Sequence, residues 1–132
     1  MSPHVQALLV LVRQDLKAAH VTLEQGLVRA SINRAYYAAF HVAQAALLTL
    51  GETPKTHAGI SNRFYVRFVQ TGLMGEDLSG VLPYAFRQRQ GADYDALTVF
   101  EARAAADLIA DVETFVRTVE AVILPPDASS SV

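Results

Sequence analysis

Arg34 and His41 are the first residues in this sequence whose types could do chemistry. A guanidinium can balance phosphate charge and an imidazole can move protons, so such a pair can cleave a phosphodiester without a metal. Asn33, Tyr37, His41 and Gln44 are spaced by four, four and three, which puts them on one stripe of a helix, with Arg34 close by. Arg34 and His41 have six residues between them. In a regular helix they stand two turns, about 10 Å, apart and do not touch within one chain. Across a two-fold axis, Arg34 of one subunit can approach a trans-acting His41 of the other. The plainer reading of His41 is a buried imidazole bonded to Asn33, Tyr37 or a neighbouring helix.

A second cluster is Arg87, Arg89, Asp93 and Tyr94. The arginines and the tyrosine make a small basic patch suited to phosphate. An ordinary carboxyl titrates near about 4, so at neutral pH Asp93 can serve as a base but is a poor acid. The plainer reading is a solvated helix end with Asp93 as the salt partner of an arginine. His57, with Lys55, can extend such a patch, although a histidine beside Pro54 is more often a cap or a solvated loop residue. Tyr36 and Tyr37 can stack on a base, but tyrosine on an apolar helix usually belongs to the core. Arg63 and Arg67 share a face, expected to be solvated. His20 and Glu24 are four apart, but no matching carboxylate–histidine set accompanies them, so no metal is expected.

The elements that position these groups are helical. Residues 29–50 contain neither Gly nor Pro, are rich in Ala and Leu, and stop at Gly51, which predicts one long helix. It carries so few charges that it should be central and buried nearly all round. Ser2-Pro3 is a helix start, and apolar spacing continues to about Glu24. Gly26 then leaves only a short connection, so these two helices should be antiparallel neighbours. Thr56 can cap a further helix that ends at Thr71-Gly72. Another is expected from Glu76 or Asp77 toward Gln90, kinked or truly begun at Pro83, followed by a break over 91–98. The last should run from Thr98 or Glu101 to Leu124 before Pro125-Pro126. No strand signal is present. The fold class expected is all-α, an up-and-down bundle of four to five helices over residues 1–125 with a disordered tail at 126–132.

The chain has 132 residues, 52% of them hydrophobic and 18% charged, so a helical bundle of this size should hide further surface in a homodimer. A net charge of −2 supplies no global field for nucleic acid or anionic lipid, leaving RNA contact to a local patch. The absence of cysteine excludes disulfides and thiolate metal sites and agrees with a reducing, cytoplasmic setting. Met-Ser-Pro-His does not read as a leader, and the longest apolar run in the central helix is far below the roughly 20 residues of a membrane span.

Ser31, Asn33, Arg34, Tyr37, Phe40 and His41, then Thr56, His57 and Gly59, then Arg89, Ala92, Asp93 and Tyr94 occur in the order found in prokaryotic HEPN domains. The chain resembles that family from about Ala7 to Val122. The resemblance implies a dimeric helical bundle. It also implies a partner, a minimal nucleotidyltransferase, with which such proteins form a two-component complex, in many cases a toxin–antitoxin pair that binds nucleotide or RNA. Ribonuclease members use an Arg and a His separated by four to six residues at a helix end in a dimer interface. In this sequence the matching segment, 87–94, has arginines and a tyrosine but places Asp93 where the histidine would be. In related members a tyrosine just after the histidine can be nucleotidylated, which makes Tyr94 the candidate here. The alternative is an active metal-independent endoribonuclease toxin using Arg87 or Arg89 with Asp93 or a trans-acting His41. No cofactor is implied.

Overall fold

A computed structural model describes residues 1–124, and these form a bundle of five helices. In chain order they are α1 (Pro3–Glu24), α2 (Val28–Thr49), α3 (His57–Phe64), α4 (Val81–Tyr94) and α5 (Ala102–Ile123). No strand occurs among the described residues. The segment 126–132, expected to be disordered, lies outside them.

Local chemistry sets the ends of the first two helices. The Ser2 hydroxyl accepts the Val5 N–H at 3.2 Å, and Pro3 takes the first helical position, where its missing N–H costs nothing. Gly26, at φ 79°, turns the chain back so that α2 packs along α1, and Gly51, at φ 77°, closes α2. Helix α2 is the centre of the bundle and packs against α1, α3, α4 and α5. Ala35, Ala38, Ala39, Ala43 and Ala46 are fully buried, and such small side chains let neighbouring backbones approach closely. The buried Ser31 hydroxyl donates to the Ala19 carbonyl of α1 at 2.9 Å. From the other side α5 contributes Ile109, Val112, Phe115, Val116 and Val119, all buried. Each such side chain contributes about 1.5–3 kcal/mol by leaving water.

Three boundaries depart from the sequence reading. Helix α4 starts at Val81 rather than at Glu76 or Asp77, which join Leu78 in a separate 3-10 turn. Pro83 therefore lies in the first turn of α4, where no hydrogen bond is lost. The helix also continues through Gly91 to Tyr94 instead of breaking there. Gly91 serves close packing: a Cβ at that position would stand 3.0 Å from Cζ of Phe100. Helix α3 is shorter than expected and widens into a π-helical turn, Tyr65–Val69. Across that turn Arg63 and Arg67 both donate to Glu52, so they are tied to a carboxylate rather than left on a solvated face. Among the described residues no helix is long and apolar enough to cross a membrane.

Candidate functional site

The polar stripe of α2 is one part of a hydrogen-bond chain that crosses three helices. At its inner end is Asp15 of α1, which is only 5% exposed. Its carboxylate accepts from His41 Nδ1 at 2.7 Å and from Arg34 Nη1 at 3.3 Å. A carboxylate can only accept, so His41 donates through Nδ1. Arg34 also donates through Nε and Nη2 to the Asn33 side-chain oxygen, at 3.0 and 2.8 Å. The Asn33 amide in turn donates to Asp93 of α4 at 3.1 Å, and Asp93 accepts Arg89 Nε at 2.9 Å. Tyr37 lies between the two cations, with the Arg34 and Arg89 guanidinium carbons 4.8 and 5.6 Å from its ring centre.

The fold thus brings Asn33, Arg34, Tyr37, His41, Arg89 and Asp93 together. Asp15 reaches both Arg34 and His41 from α1 and bridges them within one chain. Sequence reasoning missed Asp15. Its signal was a lone carboxylate on the stripe of Leu8, Val12 and Ala19, which α1 buries. Gln44, on the same stripe of α2, lies outside the cluster, beside His4 and Leu8.

His57 is neither a cap nor a solvated loop residue. It opens α3, stacks on Phe86 with ring centres 3.6 Å apart, and its Nδ1 lies 3.1 Å from the Tyr36 hydroxyl. Burial, chiefly, pushes the Tyr36 phenol up to about 12, so it remains a proton donor. Burial, and then the charge of Arg89, hold His57 below the usual imidazole range. Tyr36 and His57 thus share a hydrogen bond between α2 and α3. His20 pairs with Glu113 of α5 at 3.1 Å rather than with Glu24. Among the described residues no group of three metal-binding side chains forms.

Arg87 and Tyr94 do not join the cluster. The Arg87 guanidinium carbon stands 5.9 Å from the Tyr84 ring centre, and Arg87 forms no ion pair among the described residues. Tyr94 is 77% exposed and begins an ordered loop. Arg29 of α2 donates to the carbonyls of Gly91, Ala92 and Thr98, with Phe100 beneath its guanidinium. Asp95 accepts the Leu97 and Thr98 amides and the Thr98 hydroxyl, and the hydroxyl bond in particular holds its carboxyl below the usual range. This scaffold presents Leu97 and Val99 to solvent at 94% and 85% exposure.

The same chain can be set beside known proteins. The family model for the HEPN domain matches residues 6–122. A Methanocaldococcus jannaschii protein named "Putative toxin MJ0605" is 37% identical over 112 residues, covering 85% of this chain and 83% of the relative. A "UPF0332 protein" of Thermotoga maritima is 32% identical over 111 residues, 84% of each chain. Another of that name, from Archaeoglobus fulgidus, is 35% identical over 94 residues, 71% of this chain and 74% of its own. With its all-helical bundle and these matches, the protein belongs to the HEPN domain family.

Proposed function

We propose that this protein is the HEPN component of a toxin–antitoxin-like module, that it works as a homodimer, and that it binds a minimal nucleotidyltransferase through the loop from Tyr94 to Val99. The toxin name of the Methanocaldococcus relative supports the first part. The observation that carries the reading is Tyr94, whose phenol stands free on a loop braced by Arg29 and Asp95, next to Leu97 and Val99. An exposed Leu and Val on an ordered loop suit a protein partner, which would gain apolar burial without ordering a mobile segment. In the complex the Tyr94 oxygen attacks the α-phosphorus of a nucleoside triphosphate held by the partner. An O–P bond forms, the α–β anhydride breaks, pyrophosphate leaves, and the phenolic proton passes to solvent. Arg34 and Arg89 supply phosphate contacts for nucleotide or RNA. The test is co-expression with the nucleotidyltransferase, followed by incubation with triphosphate and magnesium and intact-mass measurement. One added nucleotidyl group, absent in Tyr94→Phe, is expected; an unmodified wild type bound to its partner would overturn the modification.

A second reading, a metal-independent endoribonuclease, is favoured by Asp15, which orients His41 and holds Arg34 beside it. It predicts RNA cleavage in EDTA that is lost in His41→Gln with the fold intact, and loss of cleavage in Arg89→Ala.

A further inference from the structure

A cleft of 510 Å³ opens between α3, its π-helical extension, α4 and α5. Its size is that of a small-molecule site. Phe64, Phe86 and Phe115 give it an apolar floor, while Ser61 and Asn62 line it with polar groups. Two further groups set its charge preference. Arg13, Arg34, Arg63, Arg67 and Arg89 each hold a carboxylate, whereas Arg87, which lines the cleft, holds none among the described residues. The other is His57, whose Nδ1 is engaged by Tyr36 on the interior side. The remaining ring nitrogen, Nε2, can take part in a hydrogen bond with a ligand. The cleft therefore offers a cation and an imidazole nitrogen above an aromatic floor, and among the described residues no carboxylate lines it.

We propose that this cleft binds a small aromatic anion, with its ring against the phenylalanine floor and its charged group beside the Arg87 guanidinium, within reach of the His57 ring. The site is separate from Tyr94 and does not depend on the module reading. The test is an NMR titration of the full chain with indole-3-carboxylate and 2-naphthoate beside the corresponding neutral carboxamides. Saturable one-to-one binding is expected, with the His57 ring signals moving and the carboxylates favoured by about five- to tenfold, as one partly exposed charge-assisted contact allows. Arg87→Gln should remove that preference and leave carboxamide binding unchanged. Absence of saturable binding, equal affinity for acid and amide, or a carboxylate preference that survives Arg87→Gln would each overturn the proposal.

Discussion

Replacing Asp15 with Ala should destabilise the bundle far more than removal of an ordinary helical aspartate. The carboxylate receives a His41 donor whose side chain is 19% exposed and an Arg34 donor whose side chain is 38% exposed. Orphaning the His41 N–H costs about 1–3 kcal/mol. Arg34 keeps its bonds to Asn33 and reaches water, so its loss adds only about 0.5 kcal/mol. Together these give about 1.5–3.5 kcal/mol, equivalent to a fall in Tm of roughly 5–13 °C for a chain of this length. Asp15→Asn should behave differently. Its amide oxygen can still accept from Arg34, while its NH2 can donate to His41 if that ring moves its proton to Nε2, so the loss should stay below about 1 kcal/mol. Urea unfolding of both variants measures this, and an Asp15→Ala/His41→Ala double-mutant cycle isolates the pair, with a coupling of about 1 kcal/mol or more expected. An Asp15→Ala protein within about 0.5 kcal/mol of wild type, or a cycle without coupling, would refute the argument that Asp15 organises this site.

Arg29→Met should free the loop after α4 at a cost of about 1–2 kcal/mol, seen as faster hydrogen exchange at the Leu97 and Thr98 amides with α1 unaffected. Leu97→Asp, at an exposed tip, should leave Tm within about 1 °C of wild type; pull-down with the nucleotidyltransferase should nevertheless fail. His57 gives a pH dependence. Its folded pKa lies below the usual 6.5, so as pH falls below that value the unfolded chain takes up a proton that the folded chain does not. Stability contributed at neutral pH is lost on acidification, and Tm should fall more steeply in the wild type than in His57→Gln; parallel curves would remove His57 as the cause.

The long helices were legible because periodic apolar residues and small helix-ending signals act locally. Ser2-Pro3, Gly26 and Gly51 do in the structure what their chemistry suggests in isolation. Gly91 was misleading because its use depends on Phe100, which local sequence cannot place beside it. The stripe of Asn33, Tyr37 and His41 was visible for its spacing, but its partners come from helices far along the chain. Asp15 in particular becomes informative only once α1 lies against α2. His57 was hidden for the same reason: its hydrogen bond and its stacking partner are 21 and 29 residues away, so its loop-like neighbours Pro54 and Lys55 were a poor guide.

The clamp on the loop after α4 bears on attempts to re-address the protein. Leu97 and Val99 are anchored by Arg29, whose guanidinium lies over Phe100, and Phe100 packs closely on position 91, where a Cβ would stand 3.0 Å from its Cζ. A transplant of residues 94–99 from a paralogue would carry the contact side chains but not the bracing. A recombinant that exchanges partners cleanly should move Arg29, Gly91 and Phe100 with the loop as one inherited cassette.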